Sequence, residues 1–98
     1  MISYAHGASP DPWFSLGQVV ATAGLLAVVN QDEVAEALSR HEHGDWGELE
    51  PDDCHINNMG LRQGGRLFSA YTSLRGTKFW IITEADRSVT TILLPSEY

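Results

Sequence analysis

Apolar positions change their period along this chain, and the change comes at Arg66. Before it lie helix-like stretches. After it, "RLFSAYTSL", "TKFWIITEA" and "VTTILLP" read as strands, separated by the short turns "RG" and "DRS". The middle run is apolar on both faces, Phe79 and Ile81 on one and Trp80 and Ile82 on the other, so it belongs inside a sheet with a helix layer over at least one face. Upstream, "WFSLGQVVAT" (13–22) predicts a first strand through Val19, Val20 and Thr22. Thr22 is placed to cap a short helix, "AGLLAVVN", that Asn30 ends. "QDEVAEALSRHEHG" predicts a second helix with Asp32 as N-cap, Val34, Leu38 and His41 on one stripe, and Gly44 closing it. "EPDDCHINNMGLRQGG" predicts a third, with Pro51 in its first turn, Ile56, Met59 and Gln63 on a face, and Gly64 and Gly65 at its end.

The expected fold is therefore α+β: an N-terminal strand and two or three helices packed on a C-terminal antiparallel meander of three to four strands. Its core should contain Phe68, Ala70, Phe79, Ile81, Ile92 and Leu94, with Leu38 and Ile56 packing onto the sheet. "MISYAHGASPDP" has no period and two prolines, so residues 1–12 are expected to form a flexible arm ahead of a single domain, 13–98.

Charge sharpens the picture. Nine of the thirteen acids fall between residues 32 and 53, where Arg40 is the one base, so that segment carries −8 and the rest of the chain +1. Such a field repels nucleic-acid phosphates and attracts basic protein surfaces. Glu42, Asp45, Glu48, Glu50, Asp52 and Asp53 are the expected partner-binding residues, with Trp46 fixing their turn; the plainer account of the same acids is a solvated face that keeps the protein in solution. The longest nearly apolar run, residues 19–29, is far short of a membrane span, and no secretory pattern opens the chain. The single cysteine, Cys54, fits a reducing bacterial cytoplasm.

"HEHGDWG" (41–47) poses the main chemical question. His41, His43 and Asp45 match a His-x-His-x-Asp-His metal run of metallo-β-lactamase-like hydrolases, but Trp46 replaces the last histidine. The chain is too short for that sandwich, and no histidine follows His55. Residues two apart near a helix end point to different faces, so His41 and His43 do not chelate one ion on an intact helix. A zinc site or hydrolase built from His41, His43, Cys54 and His55 is the least favoured alternative, because adjacent Cys54 and His55 chelate poorly and no paired C-x₂-C supports them. No cofactor or metal is expected.

Other constellations are weaker still. Glu84 and Asp86 have no lysine beyond them, and Asp86 with Arg87 fits a turn. "GGRL" (64–67) precedes a strand rather than opening a helix, unlike a phosphate loop. Ser69, Ser73 and Ser88 show no recognisable histidine partner or elbow motif, and acids beside Cys54 disfavour a reactive thiolate. Phe68, Tyr71 and Trp80 offer stacking surfaces, but core packing accounts for them. The expectation is a protein without enzymatic activity.

"HGDWG", "GGRLFSAYTS", "GTKFWIITEADRS" and "TTILLPSEY" resemble the small plasmid-related proteins of bacterial mobile elements, often labelled type I restriction methylase (M) subunit. The resemblance covers residues 13–98. The methylase label does not fit this chain, which lacks an Asn-Pro-Pro-aromatic motif and room for a methyltransferase sheet. The resemblance implies no catalytic residues. It does imply a setting of plasmids, integrative elements and phages, where small acidic proteins inhibit host defence. From that setting and the charge we expect an inhibitor, anti-CRISPR or anti-restriction, that binds a basic nucleic-acid-binding surface of a defence complex without touching nucleic acid or membrane. The alternative is an accessory or regulatory interaction protein of the mobile element.

Overall fold

Two short polar side chains punctuate the first half of the chain. In the computed structural model, which describes residues 1–7 and 10–98, the Thr22 hydroxyl accepts the Leu25 N–H at 3.1 Å and starts α1 (Ala23–Val28). It also donates to Glu97 Oε1 at 2.6 Å, tying this helix start to the 3₁₀ turn Pro95–Glu97 near the C-terminus. Asn30 Oδ1 then accepts the Asp32 N–H at 2.8 Å and starts α2 (Gln31–Glu42). The cap is thus Asn30, not Asp32 as the sequence pattern implied. Asn30 has the extended backbone a cap requires, and Asp32 falls in the first turn, where its charge meets the positive helix end. Pro51 opens α3 (Pro51–Gln63), and Gly64 ends it with φ 79°.

Five strands form one mixed sheet: β1 (Ile2–Ser3), β2 (Gln18–Ala21), β3 (Leu67–Thr72), β4 (Lys78–Thr83) and β5 (Val89–Leu93), in the order β1-β2-β5-β4-β3. The meander β3-β4-β5 is antiparallel, as alternation predicts. Two features lie beyond that expectation. β2 pairs parallel to β5, because three helices carry the chain from β2 to the far edge before the meander returns. And part of the stretch read as an arm is paired: Ile2 faces Ala21, Ser3 faces Val20, and Tyr4 N–H donates to Val19 O at 2.8 Å. Ala8 and Ser9 of that stretch lie outside the described residues. The class is α+β. Among the described residues no helix is long and apolar enough to cross a membrane.

α1 and α2 cover one face of the sheet. Leu25, Val29, Val34, Ala37 and Leu38 meet Val19, Ala21, Tyr71, Phe79, Ile81 and Ile92 there, and Leu94 packs half-buried against the same cluster. Phe68 and Ala70 do not join them. In β3 the inward row is Leu67, Ser69 and Tyr71, leaving Phe68 and Ala70 half-buried on the opposite face beside Trp80 and Ile82. Ile56 is also not in the core, being 61% exposed. The side that α3 buries carries Asn57 and Gly60 instead, because this helix lies along the edge of β3 rather than over the sheet.

That edge is closed by the chain itself. Ala70 O accepts Glu48 N–H at 2.8 Å, and Ala70 N–H donates to Trp46 O at 3.2 Å, with Gly47 bridging in parallel opposite Ala70. One step along, the Asn57 amide accepts Phe68 N–H at 3.1 Å and donates to Phe68 O at 2.6 Å, acting as a short surrogate strand. An exposed row of strand amides is a template for aggregation, and here the groups of Phe68 and Ala70 are occupied. Gly47 makes the close approach possible: at φ 73°, an added Cβ would collide with the Ala70 carbonyl oxygen. Gly47→Ala is predicted to cost at least about 2 kcal/mol, combining left-handed backbone strain with loss of the bridge. Urea unfolding reads this directly, and an unchanged midpoint at unchanged slope would show the bridge to be dispensable.

Candidate functional site

"HEHGDWG" begins in the last turn of α2, and its first histidine points into the core. His41 is fully buried. Its Nδ1 lies 2.5 Å from Ser69 Oγ and its Nε2 2.9 Å from Thr83 Oγ1. Thr83 Oγ1 is 2.7 Å from Thr90 Oγ1, whose hydroxyl donates to Leu16 O at 2.7 Å. The protons can be placed by elimination. A carbonyl only accepts, so Thr90 spends its hydrogen on Leu16, and Thr83 must donate to Thr90. The proton between His41 and Thr83 therefore belongs to Nε2, and Ser69 donates to the bare Nδ1. A neutral imidazole with its proton on Nε2 satisfies all four of these bonds. Burial, reinforced by the nearby Arg87 charge, pulls the His41 pKa down to about 3. Ser69 thus has a histidine partner after all, invisible in sequence because 28 residues separate them. The pair has the spacing of a nucleophile and its base, yet both residues are 0% exposed and no carboxylate orients the imidazole. Phe14 and Trp46 meet the ring edge-on at 5.2 and 5.6 Å and seal it.

Beyond the buried imidazole the helix ends in a two-bond closure. Gly44 N–H bonds to His41 O at 3.2 Å and Asp45 N–H to Arg40 O at 2.9 Å, with Gly44 at φ 77° under the Trp13 ring. Asp45 binds the Arg40 guanidinium through both oxygens, at 2.8 and 3.3 Å, and accepts Gly47 N–H at 3.1 Å. The Arg40 hydrogen bonds hold its carboxyl below the usual carboxylate range. Tyr71 donates its hydroxyl to Asp45 O at 2.6 Å, and Trp46, 4% exposed, donates its indole N–H to Asn58 Oδ1 at 3.1 Å. Trp46 is therefore the anchor of the turn.

His43 points away from His41, toward the N-terminal stretch. Its Nδ1 lies 2.6 Å from Ser39 O and its Nε2 2.7 Å from Pro10 O. Two carbonyls require two N–H donors, so this geometry is that of an imidazolium. These backbone bonds, with the charges of Glu42 and Asp11, raise its pKa. Glu42 is 6% exposed and bonds through Oε1 to His6 Nε2 at 2.9 Å, and its carbonyl accepts Trp13 N–H at 2.8 Å. Expected on the partner-binding surface, Glu42 instead lies under the N-terminal stretch and holds it down.

The remaining expected site residues stay at the surface. Glu48, Glu50, Asp52 and Asp53 are exposed and make no ion pair among the described residues. Glu48 accepts from Thr72 Oγ1 at 2.9 Å; Glu50 occupies the α3 N-cap position without a side-chain capping bond. His41 and His43 point apart, Cys54 donates to Leu49 O, and His55 is exposed; among the described residues no three histidine, cysteine or acidic side chains are grouped as a metal ion requires. Asp86 does turn chemistry, its Oδ1 accepting Ser88 N–H at 3.0 Å and Ser88 Oγ–H at 2.6 Å, while Glu84 pairs with Arg66. No family model, curated protein or solved structure matches the chain.

Two titrations follow. The unfolded chain protonates His41 below about 6.5, whereas the folded chain holds it neutral to about 3. Stability from this residue is therefore fully present above the unfolded value and declines as pH falls through the window, by about 1.4 kcal/mol per pH unit. Imidazole ¹⁵N shifts should show a neutral Nε2–H ring from pH 7.5 down to 4.5; a midpoint near 6.5 would overturn the proton assignment.

For His43 the sign is opposite, since its folded pKa is raised. The attachment it makes is complete below the unfolded value and weakens as pH rises through the folded one. Hydrogen-exchange protection of the Trp13 amide should fall across that rise. His43→Gln should remove the step, and a step that survives would assign the attachment to another group.

Proposed function

We propose that this protein is a non-catalytic interaction module that binds a basic surface of a host nucleic-acid-handling defence complex in the bacterial cytoplasm, as an inhibitor carried by a mobile element. The single supporting observation is the acidic stretch Glu48–Asp53. Four exposed carboxylates are spaced along a segment fixed at one end by Trp46 and the β3 bridge and at the other by Asn57, with no cation paired to them among the described residues. Charges on a braced backbone offer a phosphate-like row to an arginine-lined channel, leaving only their side chains to be ordered on binding. Glu42 and Asp45 leave the set, one buried and one spent on Arg40.

Each rim charge contributes under about 1 kcal/mol, so single alanines should weaken binding only slightly. The combined variant Glu50→Lys/Asp52→Lys/Asp53→Lys should abolish co-purification with the CRISPR or restriction complex of an expressing host and restore defence activity. Its circular dichroism should stay native, and raised salt should release the wild type steeply. Wild-type capture by the reversed variant, or binding indifferent to salt, would remove the mimicry mechanism.

A further inference from the structure

On the sheet face opposite α1 and α2 the Pro95–Glu97 turn and Tyr98 pack against β4, and where this face meets α3 it forms a groove of about 310 Å³. Leu49, Ile56 and Phe68 supply its apolar surface, and Asp53 and Arg66 stand at its sides. Ile56 is 61% exposed there, and Met59 of the same helix 37%. We infer that this groove is the docking site for a cationic protein segment that inserts one apolar side chain between Ile56 and Phe68, an inference that rests on reading the acidic stretch as partner-binding.

The charge of the occupant follows from the two sides. Arg66 is already engaged: its Nε lies 3.4 Å from Glu84, it donates to the Tyr98 hydroxyl at 2.7 Å, and its guanidinium stands over the Tyr98 ring at 5.5 Å. The acidic side has no such partner. Asp53 and its neighbours Glu50 and Asp52 make no ion pair among the described residues. The groove therefore offers uncompensated negative charge beside an apolar floor, which selects Lys or Arg flanking a bulky apolar residue. Nucleic acid and anionic lipid are repelled by the same carboxylates, and a second copy of this chain, at net charge −7, is a poor match.

The mode of binding is constrained as well. Added strands dock on free edge groups, but on β3 the groups of Phe68 and Ala70 are taken by Asn57 and by residues 46–48. The partner must engage through side chains, with an apolar anchor inside a charged rim.

Panning a random peptide display library on the intact protein at low salt tests this. Enriched peptides should carry an apolar residue flanked by Lys or Arg, and should bind at least tenfold more weakly to Ile56→Gln and to Asp53→Lys. Leu74→Gln, at a site 94% exposed and distant from the groove, should bind as wild type. Basic peptides weakened by Asp53→Lys but not by Ile56→Gln would overturn the apolar anchor and leave the acidic reading standing. Binders sensitive to Ile56→Gln alone would overturn the cationic occupant and the acidic reading with it. No basic enrichment, or binders indifferent to both substitutions, would overturn both.

Discussion

The structure is organised around one buried neutral imidazole. His41 must find a donor for Nδ1 and an acceptor for Nε2 in a place water does not reach, and a buried polar atom left unpaired costs about 1–3 kcal/mol. Its partners come from β3 and β4, and the chain of hydroxyls runs on through β5 to the loop before β2. Ser69, Thr83 and Thr90 must therefore all face inward together. A one-residue slip of β3 would turn Ser69 outward and break the chain at its first link. Burial of Phe79, Ile81 and Ile92 drives the collapse, and the hydroxyl chain favours the register in which Ser69, Thr83 and Thr90 all face inward.

The residues after His41 carry that constraint to the surface. With the imidazole pinned, the helix ends where Gly44 allows it, and Asp45, bonded to Arg40, sends the chain back along β3. Trp46 seals the imidazole from the side, and Gly47 lies against the strand edge. The segment that began as a metal-like motif is thus the hinge of the fold, with both nitrogens of each histidine committed to hydrogen bonds. Because this segment and Asn57 occupy the edge of β3, α3 runs beside the sheet, and a groove opens at its flank.

Local chemistry was legible in the sequence, and polar pairings between distant residues were not. Thr22 as a cap, Pro51 at a helix start, Gly64 at its end, the two hairpins, Trp46 as an anchor and the opposed faces of His41 and His43 all follow from short-range rules. The inward face of β3 did not. Its pattern offers Phe68 and Ala70 against Leu67 and Tyr71 with little apolar contrast, and the deciding residue is Ser69, whose partner is 28 positions away. Ile56 was misplaced for a related reason: Asn57 looks like a poor core residue until Phe68 supplies it with an edge to cap. The parallel pairing of β2 with β5 and the short strand β1 have no local signature in this chain. Of the expected site residues, Glu48, Glu50, Asp52 and Asp53 lie at the surface, whereas Glu42 is beneath the N-terminal stretch, which charge counting alone does not reveal.

The acids that remain at the surface do little for the fold. Glu50 sits at the α3 N-cap position without capping it, where Ser, Thr or Asn would gain about 1 kcal/mol. Asp52 and Asp53 gain from the helix dipole, an effect of about 0.3–1 kcal/mol each that salt screens, and two such residues already serve it. Adding Glu48 and Glu50 beside them brings mutual repulsion with no ion pair among the described residues to offset it. This stretch carries charge of one sign only, which favours solubility but adds self-repulsion. The adjoining groove departs from a solvated face, exposing Ile56 where a polar residue would be tolerated. Uncompensated charge and exposed apolar surface each work against the isolated protein, and here they adjoin on the most firmly braced edge of the sheet. One cationic, apolar-tipped partner segment would satisfy both.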